Sequence, residues 1–333
     1  MRFKSPITIS LLLLLLSFPD NSYAVKKLGQ TGFKWLSIPI GARAVGMGNA
    51  FTGIDEELTS VFWNPAGLSA VEKYSITFSN VKWIADINHT VFASAINFGK
   101  YGVLGINFVS VDYGILHATI RSNNDKGFIE MGTFSPRGTV VGVAYSRRIS
   151  TKFSFGAALK YCHEDLGSAY VSSSESENGY KKVSAVLNIP AFDFGTLFYP
   201  GYKDLRIGMS LQNFSQERKY VDESFPLPLT FKLGVAMDLI KIFHENSKHT
   251  VTFAVDAVHP REYPERLHLG TEYWYAGLVA LRAGYKINYD EEDFSAGIGL
   301  KYKLAGIGFK FDYAFNNFKS FDAVHIFTIG IGL

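Results

Sequence analysis

The chain has 333 residues, with Phe 28, Tyr 18 and Gly 31 but Cys 1, and a formal net charge of +3. Charge so close to neutral, with no basic stripe interleaved with aromatics, gives no footing for a nucleic-acid partner, and the lone Cys162 excludes a disulfide framework or a thiolate metal site within the chain. No Pro-rich, Ser-rich or charged linker divides the sequence, so it reads as one all-β body.

Residues 1–24 read as a signal peptide. Arg2 and Lys4 precede the apolar run Ile9 to Leu16, and Ser22-Tyr23-Ala24 sets an expected cleavage after Ala24. The apolar run is far short of the ~18 residues a spanning helix needs, and no later stretch reaches that length. An uncleaved anchor helix is the alternative. In lipid every backbone polar group must be bonded within the protein, which leaves a closed barrel as the spanning solution. The expected location is the outer membrane of a Gram-negative bacterium, with its lipid as a partner.

Residues 25–71 do not alternate and are Gly-rich; they are read as a hatch packed inside or beneath a barrel. Asp55 to Phe62 is expected to form a short helix with acids in its first turn, stopped by Asn64-Pro65. In Asn64-Pro65-Ala66-Gly67, Pro fixes φ, Gly67 permits a left-handed turn and Asn64 bonds backbone groups, which suits a bracing role.

Residues 72–333 carry the period of two that defines a strand with one apolar and one polar face. Fourteen spans are expected, at 72–83, 88–98, 101–112, 138–149, 151–165, 181–198, 204–214, 228–240, 249–258, 264–275, 277–289, 293–303, 305–316 and 321–333. About ten residues is the length that crosses the hydrocarbon layer at a tilt. Pro190 predicts a bend or bulge in the sixth. Connection lengths sort by parity: Gly99-Lys100, Ser150, Ala276 and Leu304 are short, whereas Tyr113–Arg137, Gly167–Tyr180 and Ser215–Leu227 all fall in the other set. Short periplasmic turns and long outer loops are the outer-membrane pattern. The apolar face carries Tyr273, Tyr275, Tyr285, Tyr289, Tyr302, Tyr313 and Phe315 towards strand ends, where tyrosine suits the membrane–water boundary. A soluble β-sandwich, the alternative, would bury Val, Ile and Leu there instead. Arg206, Lys232, Asp238, Arg266, Glu272, Arg282 and Lys286 fall on the opposite face, so they should point into the lumen and pair with each other, with the hatch or with a substrate.

No catalytic constellation is expected, and no enzymatic activity. The eight His form no H-x-x-x-H pair and no G-x-S-x-G elbow occurs, although Ser and His from separate strands remain a conceivable hydrolase. Gly46-x-Gly48 has Phe51 where a dinucleotide fingerprint needs Gly or Ala, so no cofactor is expected. Asp55-Glu56-Glu57 is a solvated helix start before it is a cation site.

Gly41-Ala-Arg43-Ala-Val-Gly46-Met47-Gly48-Asn-Ala-Phe51, followed by Trp63-Asn64-Pro65-Ala66-Gly67-Leu68, resembles the N-terminal signature of the PorV/PorQ family of outer-membrane barrels, themselves similar to FadL long-chain fatty-acid transporters. The stretches Leu205–Phe214, Phe225–Leu229, Leu267–Trp274, Leu281–Tyr285 and Phe294–Gly297 resemble that family's later strands. The resemblance implies a fourteen-stranded transmembrane antiparallel β-barrel with an N-terminal luminal plug. It also implies binding or shuttling of secreted cargo in type IX secretion, with translocon components and the C-terminal sorting domains of cargo as partners. FadL-like uptake of a hydrophobic small molecule, such as a long-chain fatty acid, is the alternative. That reading predicts an apolar pocket running from the outer loops into the lumen and closed near Asn64.

Overall fold

The computed structural model describes residues 29–172, 180–220, 223–243 and 247–333. The expected signal peptide and its cleavage point after Ala24 lie outside these residues, as does part of the loop at 167–180. Three strands, β1 (Tyr74–Lys82), β2 (Asn88–Asn97) and β3 (Val103–Asp112), precede a separate two-stranded ribbon, β4 (Leu116–Arg121) with β5 (Phe128–Phe134). The wall continues with β6 (Arg137–Ser150), β7 (Phe153–Ser172), β8 (Tyr180–Phe198) and β9 (Arg206–Phe214). A second small ribbon pairs β10 (Arg218–Lys219) with β11 (Ser224–Phe225). Then come β12 (Thr230–Asp238), β13 (Thr250–Pro260), β14 (Arg266–Tyr275), β15 (Val279–Ile287), β16 (Glu292–Leu304), β17 (Ile307–Phe318) and β18 (Val324–Gly332). The two ribbons aside, these strands pair with antiparallel neighbours and close where β1 meets β18, giving an all-β barrel of fourteen strands. Each barrel strand overlaps one predicted span.

The two faces are inverted relative to a soluble protein. On β15, Val279, Leu281, Tyr285 and Ile287 are exposed, whereas Ala280, Arg282, Gly284 and Lys286 are buried. Ile106, Val141, Leu159, Leu281 and Ile298 are all more than half exposed, while Arg282, Glu272 and Lys286 are almost wholly buried. Such an apolar exterior is stable only against lipid, which rules out the sandwich.

The sequence expectations for the wall need correction at several points. The long connection at 113–136 contains the ribbon β4–β5, and β7 and β8 extend well past their predicted ends. Pro190 does not itself make the bulge. It pairs with Tyr161 of β7 and lies beyond the β8–β9 ladder, so its missing N–H deprives no neighbour; the bulge falls at Asp193. Tyr289 is not on the lipid face, because Asn288 takes a φ of 65° and reverses the alternation, turning the ring inward onto His268. The parity of loop lengths holds for the longest connections, but the segment between β12 and β13 on the short-turn end carries a helical turn, Ile240–Phe243.

Residues 29–71 fill the lumen. Gly32 N donates to Pro226 O and Thr31 N to Glu262 at the long-loop end, and Asn97 Nδ2 donates to Val71 O at the other end. The segment therefore runs the length of the pore. Along this path Phe33 and Trp35 pack on Val109, Val140 and Ile189; Phe51, Ile54 and Trp63 on Ala236 and Ala254; and Leu58 and Leu68 on Ala93, Ala144 and Ala158. Alanine on the wall leaves room for large side chains on the plug. Its helices are short: an α-helix at Ala42–Gly46 and 3-10 turns at Leu58–Phe62 and Pro65–Ala70. The helix expected over 55–62 thus begins only at Leu58, with its acids before the first turn, because Asp55 and Glu57 are held by side chains of the wall.

Candidate functional site

The plug motif is brought together in the lumen. Gly41 caps the Ala42–Gly46 helix at φ 91°, a conformation that favours glycine. Gly46 lies against Gly297, and Gly48, at φ 63°, is so close to β14 and β15 that an added Cβ would sit 2.7 Å from Leu269 O and Tyr285 N. Met47 and Phe51 are fully buried, and Phe51 N and Thr52 N donate to Asp256 at 2.9 and 2.8 Å. Trp63 donates to Ile40 O. Asn64 is wholly buried: Nδ2 donates to Thr52 O and Thr196 O, and Oδ1 accepts from Ala66 N, where Pro65 opens the following 3-10 turn. Ala66 O accepts from Ser146 of the wall. Gly67 keeps a negative φ, contrary to the expected left-handed turn; its lack of a side chain makes room for Ser60.

Ionic contacts fasten the plug. Arg43 donates to both oxygens of Glu272 (2.9 and 2.6 Å) and to Glu57 (2.9 Å). Arg282 donates to Glu272 at 2.6 Å and lies 2.8 Å from Asp312, while Lys310 pairs with Glu57 and, at 3.5 Å, with Asp312. Three cations thus meet three carboxylates, as burial demands. Asp55 accepts from Arg206 (2.6 Å) and Tyr199 (2.7 Å). The acidic triplet is therefore no solvated helix start: Asp55 and Glu57 clasp wall cations, and only Glu56 is exposed.

Of the seven luminal charges singled out in the sequence, five are absorbed. Glu272 and Arg282 join the network above, Arg206 holds Asp55, Asp238 accepts from Ile240 N and Val251 N, and Lys286 binds Glu292 and Asn316. Lys232 and Arg266 differ. Among the described residues neither has a carboxylate at ion-pair distance. Lys232 Nζ instead stands 4.4 Å over the Trp63 ring, and Arg266 stacks on Tyr263 and Tyr289 at 4.2 and 3.9 Å with its Nε buried and unpartnered.

Both border a luminal cavity of about 150 Å³. Its inner lining is the plug segment Lys34 to Ile40 with Val61, Phe62 and Trp63 as floor, one residue short of Asn64. Its outer wall includes Val109, Val140, Leu229, Val258, His268 and Tyr289, and its rim Arg261, Glu262 and Tyr263 at the long-loop end. Asp193, Asn213 and Lys160 also line it, at the point where the wall is interrupted. β8 pairs with β9 only between Phe192 and Phe198, and its further residues pair with β7 alone. A polar cluster closes the break: Asp193 accepts from Asn213 N and Lys160, both at 2.7 Å, and Lys160 also reaches Asn213 Oδ1. Sequence reasoning missed Asp256, Lys160 and Asp193; all fall on the inward phase of their strands, which was the available signal.

No protein-family model matches this sequence, and no curated protein does. Solved structures do. The toluene transporter TbuX of Ralstonia pickettii aligns at 13% identity and a TM-score of 0.59, over 87% of this chain and 97% of that one. The toluene transporter TodX of Pseudomonas putida aligns at 13% and 0.58, over 87% and 96%. A Pseudomonas aeruginosa FadL homologue aligns at 10% and 0.56, over 88% and 98%. This chain shares their fold. At such identities the likeness extends to architecture alone, that of Gram-negative outer-membrane barrels.

Proposed function

We propose that this protein is an outer-membrane channel for a hydrophobic small molecule bearing an anionic group, with the luminal cavity as its binding station and residues 29–71 as its plug. One observation carries the reading: a cavity of mixed apolar and polar lining at the long-loop end, whose wall holds two cations, Lys232 and Arg266, with no carboxylate at ion-pair distance. A desolvated cation without a counter-charge is costly, so an incoming anion gains what the protein leaves unmet. The apolar part of the lining, with Val109, Val140, Leu229 and Val258, suits the remainder of an amphiphile. The floor beside Asn64 is where the uptake reading puts the closure, and two of the similar barrels, TbuX and TodX, are toluene transporters. The reading involves binding and passage, with no chemistry.

Trp35 and Trp63 line the cavity and report occupancy. Titration with a long-chain alkyl carboxylate is expected to change tryptophan emission saturably. The double variant Lys232→Met/Arg266→Met should weaken binding by roughly 10–100-fold, the worth of one or two charge-assisted contacts. Equal binding by the uncharged alkyl alcohol would remove the anionic part of the proposal. The absence of any saturable change would remove the channel reading.

The plug motif favours a second reading, PorV/PorQ-type handling of exported proteins in a type IX assembly. Its working surface would be the outer ribbon β4–β5, which exposes Leu116, Phe128 and Ile129. Co-purification from the native membrane of translocon components, or of proteins with C-terminal sorting domains, would support it; their absence would count against it.

A further inference from the structure

The two ends of the barrel differ in charge. The long-loop end mixes exposed Arg121, Lys126 and Arg218 with exposed Asp125, Glu130 and Asp290. The short-turn end is one-sided. Lys73, Lys100, Arg147, Lys152, Lys301 and Lys303 are exposed there, against Glu56 and Glu72 as the exposed acids among the described residues. Lys100, Arg147 and Lys152 come from the β2–β3 turn, β6 and the β6–β7 turn, which follow one another round the wall, whereas Lys301 and Lys303 fall on the inward phase of β16, with Lys301 opposite Lys310.

Their depth is set by the aromatics beside them. Phe98, Tyr101, Tyr145, Tyr275 and Tyr302 are among the exposed rings at this end, marking the boundary of the apolar band. Lys100 adjoins Tyr101 and stands 5.1 Å over its ring, and Arg147 lies two residues past Tyr145 on the same outward phase of β6. A cation one or two residues beyond an interfacial ring reaches the phosphate layer of the adjoining leaflet while its stem stays against apolar surface.

We propose that the stretch of rim formed by Lys100, Arg147 and Lys152 is a binding surface for anionic phospholipid headgroups of the leaflet on the short-turn side, selecting the lipid beside it. The proposal stands apart from the cavity and rests only on the barrel spanning a membrane.

The test is lipid selection by the full chain, reconstituted in phosphatidylcholine vesicles containing a minority of phosphatidylglycerol. Bound lipid is counted by native mass spectrometry. Phosphatidylglycerol should be enriched about fivefold over its share of the bilayer, the preference one such surface contact supplies, and the enrichment should shrink as salt rises. Joint neutralisation by Lys100→Gln, Arg147→Gln and Lys152→Gln, all on exposed side chains, should bring it close to one. Neutralising Arg121, Lys126 and Arg218 at the opposite end should leave it unchanged. No enrichment in the wild type, or enrichment that survives the triple neutralisation, overturns the proposal. So does its loss in Lys232→Met, which would place the anionic lipid in the cavity instead.

Discussion

Arg43→Met is the sharpest probe of how the plug is held. Arg43 supplies two bonds to Glu272 and one to Glu57 inside a network of three cations and three carboxylates. Its loss leaves Glu57, Glu272 and Asp312 facing only Arg282 and Lys310. Removing one partner of a buried ionic arrangement costs about 3–5 kcal/mol. Glu57 keeps Lys310 and Glu272 keeps Arg282, so the lower end applies, and the equilibrium for plug release should shift by about two decades. Amide hydrogen exchange reads this directly. The Ala42, Gly48, Phe51 and Thr52 N–H groups donate to Thr328, Ser295 and Asp256 of the wall while the plug is docked, whereas the β15–β16 ladder reports on the wall. In Arg43→Met the first set should exchange about a hundredfold faster and the second should not change. Adding Glu57→Gln restores two cations to two carboxylates and should recover part of the loss. Unchanged protection in the single variant, or a double variant worse than the sum of the two, would show that the network is not what fastens the plug.

Two further outcomes follow from the same geometry. Gly48→Ala adds a Cβ at positive φ against strand backbone, and should release the plug by about 2–4 kcal/mol while the barrel stays closed; protease cleavage within residues 42–57 that stays as slow as in the wild type would count against this. Burial alone would raise the Glu57 carboxyl, but Lys310 and then Arg43 outweigh it and hold it at about 2, below the ordinary 4.5. A carboxylate depressed in the docked state stabilises docking fully above about 4.5 and loses that contribution as pH falls towards about 2. Exchange of the plug amides should therefore be insensitive to this group near neutrality and accelerate across that acidic window, with a smaller acceleration in Glu57→Gln; identical profiles would refute the assignment.

The wall was legible because its signal is local: a period of two, with side chains such as Val279, Leu281 and Tyr285 alternating with Ala280, Arg282 and Gly284. What broke the pattern was also local but carried by backbone, as at Asn288, whose positive φ turns Tyr289 inward. The motif from Gly41 to Gly67 announced a compact plug. Its partners did not show, since Asp256, Glu272 and Ser295 are brought to it only by barrel closure. The cavity was legible in part. The sequence placed Lys232 and Arg266 on the inward face with five other charges, and only the distances separated the two left unpaired from those already spent on structure.

Because residues 29–71 traverse the pore and continue directly into β1, the order of assembly is constrained. Ala42 N donates to Thr328 Oγ1 across 286 positions of sequence, and β1 pairs with β18 along the same edge. Neither contact can form until nearly the whole chain is present, so the loop closed by them is among the largest the molecule contains. Plug and seam must mature together: the final strand pairing encloses the segment, which holds the first strand in place to receive it.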